Sequence, residues 1–181
     1  MKLYTIIIGI ANLVIMAANI LWHGNVPLSL LAPPAATVFV IALDGVGAAL
    51  LRKLPERFFS PDRRVFVAGK KERNFYRCLK IKKWKAKIPE LGGFTNFHKD
   101  KIESKTDKQY LRKFLLEINY GVIIHLQNAV FGFLTMLLPF PLSVTLLVAI
   151  VNFVLSLMPM AVLRYNGTVL KELYIKQKTV R

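Results

Sequence analysis

Thiol, imidazole and carboxylate are all scarce in this chain. Of 181 residues one is cysteine, Cys78. That excludes an intrachain disulfide, a disulfide-stapled scaffold and a zinc site built of cysteines. The three histidines, His23, His98 and His125, are far apart and lack metal-ligand spacing, so no metal site is expected; no cofactor is expected either. Asp and Glu number 10 against 26 Lys and Arg, a net charge of +16. What is abundant is apolar surface, 54% of residues, with a mean hydropathy of +0.43. This excludes disorder, and a nucleic-acid binder so basic rarely carries so much apolar side chain. The two extremes are segregated along the chain. Residues 52–113 hold 20 of the 26 cations and 7 of the 10 acids, a net of +13. The rest is almost uncharged, the pattern of a polytopic membrane protein with one large basic loop.

Four runs reach the roughly 20 apolar residues needed to cross ~30 Å of hydrocarbon. They are Leu3–Trp22, Val26–Leu51, Phe114–Leu138 and Leu142–Leu163. The first is too long, too poor in cleavage signal and too closely followed by another span to be a signal peptide. The expected fold is all-α: a transmembrane hairpin over 1–51, a basic loop with interfacial helices over 52–113, a second hairpin over 114–163 and a basic tail over 164–181. The short links at Trp22–Val26 and Leu138–Leu142 carry no Lys or Arg, whereas Lys2, the loop and the tail (Arg164, Lys171, Lys176, Lys178, Arg181) do. The positive-inside rule then places the loop and both termini in the cytoplasm of a multi-pass cell-membrane protein. Pro33-Pro34 should kink or break the second span. Gly45 and Gly47 read as a close-packing seam.

Within the loop, Phe75, Leu79, Ile81, Trp84 and Ile88 fit amphipathic helices lying in the interface, with Lys and Arg toward the headgroups. Gly92-Gly93-Phe94 follow, and the stretch from Lys99 to Lys113, with Asp100, Glu103 and Asp107, reads as a solvated helical approach to the third span. Two readings of the cations stand side by side. They hold the loop against anionic membrane lipids, or they gather an anionic substrate such as the phosphates of coenzyme A or a lipid phosphate. Asn166-Gly167-Thr168 matches a glycosylation sequon, which a cytoplasmic tail leaves without meaning.

Ionisable residues inside spans are costly and are functional candidates by default. Here they are Asp44, Glu117 and His125, with Arg164 closing the fourth span. On a helix turning ~100° per residue, Glu117, Gly121, His125 and Asn128 share one face. Such a stripe should face other helices or a cavity. Glu117 lies near the membrane boundary and His125 roughly 12 Å deeper. Glu117 can pair with Arg164 or Lys113, and Asp44, Glu117 and Arg164 can form one polar cluster. His125, neutral in a low dielectric, suits a general base for a hydroxyl.

Several motifs, in order, make the chain similar to the glycosyl-4,4'-diaponeurosporenoate acyltransferase family of staphyloxanthin-type carotenoid biosynthesis. They are Leu54-Pro55-Glu56-Arg57-Phe58-Phe59, Lys83-Trp84-Lys85 with Lys87-Ile88, Glu117 and His125 at their spacing, and Pro159 with Arg164-Tyr165-Asn166 and Leu170. Together they span about residues 54–173. The resemblance implies that a fatty acyl group moves from a thioester donor of the acyl-CoA type to a sugar hydroxyl of a lipid-linked glycoside. His125 and Glu117 are then the catalytic candidates. Arg77, Lys82, Lys83, Trp84 and Lys85 are the donor-phosphate candidates, and Asp44, Asn128, Arg164 and Asn166 a polar cluster. Cys78, with no histidine paired to it, makes direct transfer the better fit than an acyl-enzyme. The competing class is a non-catalytic membrane scaffold whose basic loop docks lipid or a soluble partner.

Overall fold

The structure, a computed structural model, describes residues 2–85, 88, 104 and 106–179, the side chains of the last two excepted. Lys87, Gly92-Gly93-Phe94, Asp100, Glu103 and Arg181 lie outside the described residues. Among those described, six α-helices and short 3-10 turns account for the regular structure, with no strand. Helix α1 is Lys2–His23 and α2 is Val26–Arg52. Two short helices follow in the basic segment, α3 (Lys70–Cys78) and α4 (Ile81–Trp84). Helix α5, Lys108–Phe131, ends in a 3-10 stretch over Gly132–Leu137, and α6 runs from Leu142 to Thr179. Four of these are long and apolar enough to cross a membrane, and the chain is a multi-pass membrane protein.

The termini of the helices follow from local chemistry. α1 stops at Gly24, whose φ of 65° suits glycine, and the Gly24 N–H returns to Ile20 O at 2.9 Å. The Asn25 side chain then accepts the Leu28 N–H at 3.1 Å, opening α2. Asp107 caps α5 by accepting from Gln109 and Tyr110 N–H at 2.8 and 3.2 Å. That cap starts α5 six residues ahead of the span expected at Phe114. α2 runs unbroken through Pro33 and Pro34. Each proline forfeits one backbone bond without ending the helix, and Pro33 is buried, as are Ala32 and Ala36. Likewise α6 passes through Pro159.

The chain forms two compact units, and α5 and α6 each supply residues to both. The first comprises 1–51 and 124–157. Its core is Ile15 of α1, the i, i+4 stripe Ala32, Ala36 and Val40 of α2, and Val144 and Val148 of α6. Large apolar side chains such as Ile10, Leu13, Leu31 and Val38 point outward, which in water would be untenable and in lipid is the expected solvent-facing surface. Trp22 is exposed at the end of α1, the usual place of a headgroup-level aromatic.

The second unit comprises 52–123 and 158–181. Leu111, Phe114, Leu115, Ile118 and Val122 repeat at helical spacing along α5 and pack on Leu163, Leu170 and Tyr174 of α6. Tyr76 and Ile81, from α3 and α4, close on Val162 with Trp84 and Tyr165 at the margin.

Candidate functional site

In the second unit the irregular segment between α2 and α3 is held by side chains of α5 and α6. Tyr120 donates its hydroxyl to Leu54 O at 3.2 Å, and Asn119 its amide to Phe59 O at 2.9 Å. Lys171 donates to Pro61 O at 2.7 Å, and Arg164 to Val65 O at 3.0 Å. Four carbonyls that no helix ladder serves thus find donors, as non-helical backbone requires. The Phe59 ring lies on Tyr120 at 3.8 Å. Arg52 covers the Tyr120 ring at 4.8 Å and forms a two-point pair with Glu117 at 2.9 and 3.0 Å.

Helix α3 is fastened by Glu72. Its carboxylate accepts from Arg164 Nε, from Arg164 Nη2 at 2.7 Å and from the Tyr76 hydroxyl. The bonds from Arg164 hold the Glu72 carboxyl below the usual carboxylate range. Burial, followed by the carboxylate beside it, pushes the Tyr76 phenol up to about 12. Glu72 is the one acid between Asp62 and Glu90, and it faces inward. Consequently Arg77, Lys82 and Lys83 are left exposed, and among the described residues none of the three meets a carboxylate. Lys85 donates to Asn166 Oδ1 at 2.9 Å and lies 5.4 Å from the Tyr165 ring. Trp84 is half-buried and donates to Leu79 O at 2.9 Å.

The first unit carries polar groups among its helices. Asn12 accepts from Thr37 at 3.1 Å. Gln127 donates to Asn128 Oδ1 at 3.3 Å, and Asn152 to Asn128 O at 2.9 Å. Asn152 also reaches Asp44, one of whose oxygens is buried without a partner among the described residues. His125 is half-buried on α5. A cavity of about 40 Å³ is lined by Asn12, Thr37 and Asn152 with apolar neighbours, room for a water or two. Of the two glycines read as a seam, Gly47 faces the Gln127 amide where a Cβ would stand, and Gly45 faces open space.

The sequence grouped Asp44, Glu117 and Arg164. In the structure Asp44 stands beside Asn152 in the first unit, while in the second Glu117 takes Arg52 and Arg164 takes Glu72. Asn166 is joined to Lys85, and Asn128 to Gln127 and Asn152. The sequence reading missed Arg52, Glu72, Tyr76, Asn119 and Asn152. For Glu72 a signal was present, a solitary acid amid a dense run of cations.

Most of the second unit lies in a stretch that matches a known family. A family model described as glycosyl-4,4'-diaponeurosporenoate acyltransferase (CrtO) matches residues 55–174. This chain belongs to that family. The acyltransferase is therefore an enzyme of carotenoid biosynthesis, with an acyl donor and a glycosylated acceptor as its substrates. The matched stretch includes Asn119, Tyr120, Arg164 and Lys171, the four residues that hold the segment between α2 and α3. No curated protein and no solved structure matches the acyltransferase.

Proposed function

We propose that the acyltransferase moves a fatty acyl group from a coenzyme A thioester to a sugar hydroxyl of a glycosylated carotenoid. The observation that carries this reading is the cationic surface of α3 and α4. With Glu72 turned onto Arg164, Arg77, Lys82 and Lys83 present uncompensated charge on an anchored module. Such a surface suits the phosphates of a coenzyme A donor. Lys85, held by Asn166, adds a positioned cation, and Trp84 steadies α4 through Leu79.

His125 serves as the general base. It accepts the proton of the sugar hydroxyl, the oxygen attacks the thioester carbonyl, and the thiolate of coenzyme A leaves. Cys78 is exposed and takes no covalent part. Glu117 acts through Arg52, holding the end of α2, so it is a positioning residue. The enzyme sits in the cell membrane with both termini and the basic segment in the cytoplasm, where coenzyme A thioesters are found.

Purified protein assayed with acyl-CoA and a glycosylated carotenoid tests the scheme. His125→Ala should lower kcat by about 10²–10⁴ while helical content is kept. Arg77→Ala with Lys82→Ala and Lys83→Ala should raise the KM for the donor and spare kcat. Full activity of His125→Ala refutes the base assignment. A reporter tag that places residues 52–85 outside the cytoplasm refutes the donor surface.

A further inference from the structure

A second group of cations, separate from α3 and α4, stands on the segment that α5 and α6 hold in place. Phe58 is 41% exposed, and two guanidinium groups each lie against its ring, Arg57 at 5.2 Å and Arg63 at 5.4 Å from the centroid. Lys53 and Arg64 are exposed alongside. Two acids belong to the same stretch. Asp62 is drawn to Lys171 at 3.4 Å, and Glu56 is exposed in the turn before Phe58. Among the described residues neither Arg57 nor Arg63 meets a carboxylate.

The backbone beneath them is fixed at short intervals. Leu54, Phe59, Pro61 and Val65 each lend a carbonyl to a side chain of α5 or α6. Between these anchors the chain closes on itself, Phe58 N–H to Pro55 O at 3.0 Å, Arg63 N–H to Ser60 O at 3.1 Å and Asp62 N–H to Ser60 Oγ at 3.3 Å. An irregular surface segment so densely tied is a stiff mount for the residues it displays. Holding two like charges over one ring costs energy in the empty state. An anion that both forks reach offsets their mutual repulsion and gains charge-assisted bonds.

We infer that Arg57, Phe58 and Arg63 form a phosphate-binding loop, in which the two guanidinium groups clamp a phosphate and the ring gives an apolar wall to whatever carries it. The phosphate belongs to the acyl donor or to a membrane lipid headgroup. The donor alternative rests on the function proposed above, and the lipid alternative does not.

Full-length protein in phosphatidylcholine nanodiscs is titrated with coenzyme A. In parallel its thermal midpoint is recorded as phosphatidylglycerol replaces part of the phosphatidylcholine. Wild type is compared with R57Q/R63Q, and with R57K/R63K, which keeps the charge and removes the fork. For a donor phosphate, R57Q/R63Q weakens coenzyme A binding about 100-fold, about tenfold for each guanidinium–phosphate bond removed, and leaves the phosphatidylglycerol response intact. For a lipid phosphate, coenzyme A binding is unchanged and the response to phosphatidylglycerol disappears. In either case R57K/R63K falls between wild type and the glutamine variant. If both measurements are unchanged in R57Q/R63Q, the loop is not a phosphate site. Wild type that binds no coenzyme A, with a lipid response abolished in the variant, refutes the donor reading and upholds the loop. Wild type that answers to neither probe overturns both.

Discussion

Replacing Glu72 by Gln tests whether one inward-facing acid anchors the basic module. Glutamine keeps the size of the side chain but removes the charge and turns an amide donor toward a guanidinium. Three hydrogen bonds are affected, two from Arg164 and one from Tyr76. Breaking one side of a fully buried pair costs about 3–5 kcal/mol. Here the side chains of Arg164 and Glu72 are 18% and 27% exposed, so water recovers part of the loss. About 2 kcal/mol remains, and at 1.36 kcal/mol per decade this means α3 opens about 30-fold more often. Hydrogen exchange over residues 70–78 of the protein in nanodiscs reads this directly. The matched control is Glu172→Gln. Its partner Arg73 lies at 3.2 Å, but the two side chains are 45% and 64% exposed, and exchange should change by less than about threefold. The sign with pH follows from the depressed carboxyl of Glu72. Its contribution is complete above the ordinary value of 4.5 and is lost as pH falls below that through the lower folded value. If exchange in α3 is the same in Glu72→Gln and Glu172→Gln, the anchoring argument is wrong.

Three further outcomes are expected. The Tyr76 phenol should ionise near 12, against an ordinary 10, so the absorbance titration of wild type minus Tyr76→Phe should show a late step. Its stabilising effect is whole below 10 and is lost as pH rises through 12. A double-mutant cycle on Arg52→Met and Glu117→Gln, read by unfolding in detergent, should give a coupling of about 1–3 kcal/mol, because two bonds of 2.9 and 3.0 Å join them and Glu117 is 13% exposed. Gly132→Ala should cost about 1–2 kcal/mol of stability and lower the thermal midpoint, since its Cβ would stand 2.8 Å from the Asn152 amide that serves Asn128, whereas Gly45→Ala, facing open space, should be neutral.

Much of the architecture was legible because the rule behind it is local. A run of about 20 apolar residues has to be helical in lipid, since a helix alone satisfies its own backbone there. The four spans and the basic segment were therefore plain. Their ends were less so: Asp107 moves the start of α5 ahead of Phe114, and the apolar pattern says nothing of a cap. Of the kink or break expected at Pro33 and Pro34, the break does not occur, although each proline forfeits a backbone bond.

The candidate site was legible in part. That Arg77, Lys82 and Lys83 are cations of a basic segment could be read from the sequence, because an exposed cation needs no partner; which anion they meet could not. The partners of the charged and polar residues could not. Arg164 and Glu72 are 92 positions apart, Lys85 and Asn166 are 81 apart, and Asn119 reaches back 60 positions to Phe59. An ion pair is chosen by where folding brings two side chains and by how much water is excluded around them. Composition and helical phase carry neither quantity. So the sequence by itself determined that this is a membrane-spanning acyltransferase with a cationic module. Only the tertiary structure decided which acid is turned inward, which cations stay exposed and which loop is stiff, because each depends on contacts between distant parts of the chain.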